Sequence, residues 1–313
     1  PMTLDISAYS SVRFGGLSVT NNGVITNCKV SGAVSIDSTR ASSSSNLMGG
    51  LVSSNASSGF ITNSKVIDFN FTASGQIGGF VGKNDGMIVS SAFENSQILG
   101  LSANCDIGGF VYENSGSISE SFVQGARATT DSDIRNTGSG IISRLGGNIG
   151  AFVYANNATI SDCYTNILAS TSKNKSGFVY TDSGSSVISR CYSIFYKASG
   201  DNTTAIYPFV GPNGDDIPPR VVVNGTLNNC YYLTVKTSGY WATDLFYTSS
   251  SQTTSAYQTP DNKKAFGLEV DDFATHDSFA NFDMSLKPNT VTVAYKQYYY
   301  VDGYTWVIIG GKP

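Results

Sequence analysis

With 313 residues, 40% of them hydrophobic and 12% aromatic, the chain can bury a substantial core, which excludes a disordered polar polymer. Only 13% of residues are charged, and a net charge of −4 with 19 lysines and arginines leaves no basic stripe for nucleic acid. No apolar run is long enough to span a bilayer, and nothing at the start has the form of a signal peptide. Five cysteines without a C-x-x-C pair make neither a dense disulfide framework nor a zinc site.

The first predicted element opens with Phe14-Gly15-Gly16 and Leu17, passes through "TNNGVI" to Ile25, and closes on Cys28. After the polar insertion "STRASSSSN", a second copy runs from Met48-Gly49-Gly50 and Leu51 to Ile61 and Ser64. The third, "IGGFVGKNDGMIVSS", gives Ile77-Gly78-Gly79, Phe80, Ile88 and Ser91, and the fourth gives Ile107-Gly108-Gly109, Phe110, Ile118 and Ser121. A long insertion, "ARATTDSDIRNTGSG", precedes the fifth copy, with Ile149-Gly150-Ala151, Phe152, Ile160 and Cys163. The sixth begins less regularly at Lys175-Ser176-Gly177 and continues with Phe178, Ile188 and Cys191. Phe209, Leu227 and Cys230 mark a seventh, interrupted by "GPNGDDIPPR".

Alternation of apolar and polar residues, with Asn-Gly, Asp-Gly and Ser-Gly pairs between runs, predicts short strands and turns. Glycine in those turns is expected to supply positive φ. A unit of roughly thirty residues cannot bury enough apolar surface alone, so the copies must stack. The expected fold is all-β: a β-solenoid of about seven rungs roughly 4.8 Å apart, each phenylalanine lying on the next. The small column of Cys28, Ser64, Ser91, Ser121, Cys163, Cys191 and Cys230 suits a tight inside corner, with buried thiols packing as small apolar groups and Cys163 above or below Cys191. Residues 1–240 form the repeat region. Residues 241–313 form a capping segment, with a terminal hairpin turning at Asp302-Gly303.

The repeated glycine pair, bulky residue, valine, turn and Ser/Cys resemble the GLUG motif, most closely in "GGFVGKNDGMIVSS", over roughly residues 14 to 235. Tyr112, Tyr154 and Tyr180 depart from it, standing where the motif's core has its last glycine. "FATHDSFANFDMS" and "YTWVIIGGKP" are similar to segments that follow such arrays. The resemblance implies display on a bacterial surface, as in haemagglutinin-like adhesins and the non-catalytic parts of IgA-cleaving metallopeptidases. It carries no catalytic residues.

Candidate chemistry is sparse. H-E-x-x-H is impossible with the single histidine, His276, which also has no G-x-S-x-G serine to serve. The pairs Asp215-Asp216 and Asp271-Asp272 are not repeated on neighbouring rungs and read as solvated turns. No metal or cofactor is expected. Tyr112, Tyr154 and Tyr180 share one column, which either offers an aromatic strip for sugar or protein contacts or caps the edge of the hydrophobic ladder. The expectation is a non-catalytic cell-surface or secreted scaffold or adhesin stalk, part of something longer, whose partner is a host or neighbouring-cell glycan or protein. A polysaccharide-active enzyme and a viral or extracellular filament component are the alternatives.

Overall fold

The computed structural model describes residues 2–5, 11–37, 46–102, 105–125, 140–143, 146–171, 173–197, 206–207, 209–211, 223–233 and 263–268. Every element among them is a β-strand, and every strand pairing is parallel, which is the geometry of a β-solenoid. Asp215, Asp216, Asp271, Asp272, His276 and the Asp302-Gly303 turn lie outside the described residues.

Each coil visits three sheets in the same order. The first face is a seven-stranded sheet built from the strands that carry the glycine pairs, from Arg13–Gly15 through Leu47–Gly49, Gln76–Gly78 and on to Ile206–Tyr207. The second face has six strands, Ser18–Asn21 to Val179–Asp182, each ending on an asparagine or aspartate. The third sheet takes the strands that hold the isoleucine column and then, beyond a corner, the strands that close the coil. Ile25, Ile61, Ile88, Ile118, Ile160, Ile188 and Leu227 are direct register partners along it.

The glycine pair has two separate jobs. A Cβ on Gly78 would lie 1.8 Å from the Val81 carbonyl oxygen of its own turn, and one on Gly79 would lie 2.1 Å from the Gly109 carbonyl oxygen of the next coil. The first glycine therefore lets the chain fold back tightly, and the second lets coils approach. The expectation of positive φ at the turn glycines is corrected by the structure. Among described glycines only Gly32, Gly75, Gly140 and Gly146 have it. Gly86 and Gly116 are instead required by stacking: their Cβ atoms would meet the carbonyl oxygens of Gly59 at 2.2 Å and Gly86 at 1.9 Å.

Inside the coils, Phe80, Phe110, Phe152, Phe178 and Phe209 form the expected ladder, with ring centroids 4.7 to 5.0 Å apart and planes within 9° of parallel. All five are buried. Stacked rings of this kind add about 0.5–1.5 kcal/mol per pair beyond the area they bury. Lys175 takes the place of isoleucine in the neighbouring column; it is buried, and its ammonium donates to the Thr171 carbonyl at 3.3 Å.

The corner before the closing strands is made without glycine. Asn27, Asn63, Ser90, Glu120, Asp162, Arg190 and Asn229 all have φ between 48° and 54°. Asparagine and aspartate tolerate left-handed backbone, whereas Ser90, Glu120 and Arg190 do so poorly, and there the stack compensates. Each of the first six donates its backbone N–H to a carbonyl of the next coil, at 2.8 to 3.3 Å. The Ser/Cys column follows immediately. Ser91 Oγ donates to the Val89 carbonyl at 2.9 Å and accepts the Ser64 N–H at 3.3 Å, and Ser64 and Ser121 do the same. Cysteine is the weaker version of this device: Cys163 Sγ lies 3.0 Å from the Ser161 carbonyl oxygen and 3.4 Å from the Ser121 nitrogen. All five cysteines are free thiols, and Cys163 and Cys191 sit on adjacent coils, as expected.

In the 241–313 segment the described strand, Lys263–Leu268, adds in parallel to Thr226–Leu233. It extends the ladder past the last repeat.

Candidate functional site

Tyr112, Tyr154 and Tyr180 follow the buried valines at the start of the second-face strands, so the stack brings them together. Their rings lie 4.9 and 5.1 Å apart at 6° and 15°. Tyr112 and Tyr180 are buried, and Tyr154 is half-buried. The faces of the rings meet one another. Beyond Tyr180 the column continues with Gly211, whose Cβ would lie 3.1 Å from the Tyr180 ring. What the column leaves for a partner is ring edges rather than the open faces that receive a sugar.

The hydroxyl ends are held by a polar column one position before the first-face isoleucines. Tyr154 donates to Asp106 Oδ2 at 3.1 Å, and the Asn174 amide lies 3.5 Å from the Tyr180 oxygen. Asp106 Oδ1 also accepts the Asn148 N–H at 2.8 Å. Burial raises the Asp106 carboxyl above its ordinary value despite these donors. Burial likewise pushes the Tyr112 and Tyr154 hydroxyls well above the usual tyrosine range, so neither is a source of phenolate. The thiols are no better as nucleophiles, since desolvation carries Cys105 up to about 12 and raises Cys191 and Cys230 as well.

An asparagine ladder runs beside this strip. Asn21 donates to Asn55, Asn55 to Asn84, Asn84 to Asn114 and Asn114 to Asn156, each through Nδ2 to Oδ1 at 2.8 Å. All five are buried. Asp182 ends the column as a pure acceptor, taking the Gly225 N–H at 2.6 Å. Reading the sequence as turns missed the ladder; the signal was an asparagine in one column, just before each turn. Between adjacent corners the part-exposed Arg190 grips the buried Asp162 with two bonds of 2.8 and 2.7 Å, and on the exterior Lys83 bridges to Glu113 at 3.4 Å. Among the described residues, no group of three or more His, Cys, Asp or Glu is placed to hold a metal ion. No described helix is long and apolar enough to cross a membrane.

No protein-family model matches the chain, and neither a curated protein nor a solved structure matches it.

Proposed function

We propose that this chain is a non-catalytic, cell-surface or secreted β-solenoid that serves as an adhesin stalk or structural scaffold, built of GLUG-type repeats. The observation that carries this reading is where the polar side chains go. Asparagine carboxamides, corner hydroxyls and thiols, and the tyrosine hydroxyls are bonded to neighbouring coils or to their own turns. They hold one coil on the next and are not gathered around an open space where a substrate could react. An enzyme acting on polysaccharide needs carboxylates converging on one exposed face. Asp106, Asp162 and Asp182 are each tied into inter-coil bonds, and on the exterior Asp85 and Glu113 are both paired with Lys83. The resemblance of the repeats to the GLUG motif supports surface display. A host or neighbouring-cell glycan or protein is the proposed partner, met along the outside of the rod, with Tyr154 the most accessible of the tyrosine column.

The test is a depolymerisation panel of acidic and neutral glycans, with and without Ca²⁺, run beside labelling of intact producing cells with antibody to the protein. The expected result is surface labelling with no new reducing ends. Release of oligosaccharides would replace this reading with the enzymatic one.

A further inference from the structure

The two ends of the stack differ. Toward the C-terminal end, Phe209, Val210, Leu227 and Cys230 are buried. At the other end Leu17 is 50% exposed, whereas Leu51, its neighbour in the same column, is 0% exposed. Phe14, Ile25, Cys28 and Val30 are also only partly buried, although their column neighbours Met48, Ile61, Ser64 and Val66 are fully so. What is open here is the side of the core lined by Phe14, Leu17, Ile25 and Val30; Val34 and Ile36, on the closing strand, are buried.

Two observations say what fits on it. Met2–Asp5 already lies on that side, paired in parallel with Val34–Asp37, and it occupies the position of a coil's closing strand. The inter-coil ladder thus runs on past the first coil by one strand. The asparagine ladder, in turn, has a direction: from Asn21 to Asn114 each Nδ2 donates to the asparagine of the following coil, and Asn156 Nδ2 turns to the Ala158 carbonyl at 3.0 Å. Among the described residues, Asn21 Oδ1 accepts only the local Gly23 N–H at 3.2 Å, while the next three asparagines each accept an amide from the coil before. A coil seated here must bring a carboxamide donor to that position. Two copies meeting end to end about a two-fold axis would set acceptor against acceptor. A copy docking head to tail would have to offer its C-terminal coil, which is already covered.

We propose that the open end of the first coil is a seat for one further coil of the same repeat, continuous with Met2 on its N-terminal side and carrying an asparagine at the ladder position. The pairings fix how to test it. Met2 aligns with Val34 and Phe71, so a residue joined directly before Met2 in an extended chain takes the register of Asn70. Replacing Pro1 by a copy of residues 46–70 therefore delivers a coil in register without a linker. A second extension, a copy of residues 75–97, serves the same purpose with different side chains, because Gln97 aligns with Asn70.

The unextended chain is expected to sediment as a monomer. In at least one extended chain, amide exchange over residues 17–30 should slow by about tenfold or more as the exposed parts of Phe14, Leu17 and Ile25 are buried. Thermal unfolding should shift upward. Asn55→Leu within the copied coil should return much of that gain, which mere apolar coverage would not. The proposal is overturned if both extended chains aggregate, or if exchange at 17–30 is unchanged. It is equally overturned if the unextended protein proves to be a dimer with 17–30 already protected, since a second copy would then be the occupant.

Discussion

Asn84 both receives and passes on a hydrogen bond, from Asn55 and to Asn114, in a place with no exposure to water. Asn84→Ala leaves a buried amide donor on one side and a buried carbonyl acceptor on the other. The expected loss of stability is about 2–4 kcal/mol, read from urea unfolding. Cys163→Ser, by contrast, installs the residue that the adjacent corner already has at Ser121 and should change stability by less than about 1 kcal/mol. Asp106 and Glu94 set a pH dependence. Burial raises both carboxyls above their ordinary values of 3.8 and 4.5. Their folded pKa exceeds the unfolded one, so their contribution is present in full below those values and is lost as pH rises through the folded pKa. Urea midpoints should therefore increase as pH is lowered from neutral toward the carboxyl range, and Asp106→Asn should flatten part of that slope. The phenylalanine and isoleucine columns were legible in the sequence because large apolar residues recurred at one offset. The asparagine column recurred as well, but Asn before Gly is also the ordinary mark of a turn. Turn chemistry alone accounts for "TNNG" and "KNDG", and it hides which asparagine points inward.

At the scale of the strand and its turn, glycine is retained where the next coil comes close. Gly23 and Gly86 occupy equivalent turns, yet a Cβ at Gly23 meets nothing within 4 Å, while one at Gly86 would lie 2.2 Å from the Gly59 carbonyl oxygen. Gly23→Ala should be neutral or slightly stabilising, and Gly86→Ala should destabilise by a few kcal/mol, a contrast that paired thermal melts would reveal. A turn-by-turn reading makes the two glycines equal, because it does not contain the coil below. The same holds for the corner. Glu120 and Arg190 are poor choices for left-handed backbone by local preference, and they adopt it because the stack supplies a carbonyl for each N–H. Phe110 has rings on both sides, at 4.7 and 5.0 Å, so Phe110→Ala opens a cavity that collapse cannot fill. A cost of about 3–5 kcal/mol is expected.

For the whole molecule, the same few contacts repeated along one axis make a rod whose stability is spread over its coil-to-coil interfaces, with one core running the length of the stack. That suits the proposed role as a scaffold, since polar groups are consumed in holding coils together and the outer surface is left to vary. The central claim is that successive repeats stack in parallel and in register. Thr20, Ser54, Lys83, Glu113, Ala155 and Thr181 are successive register partners on the second face. Spin labels placed at Thr20 and Thr181 are therefore separated by five coil spacings, about 24 Å. A dipolar distance distribution with one narrow peak near that value, allowing for the label arms, is the predicted result. A broad distribution, or a peak well beyond it, would mean that the repeats fold apart from one another and would contradict the account.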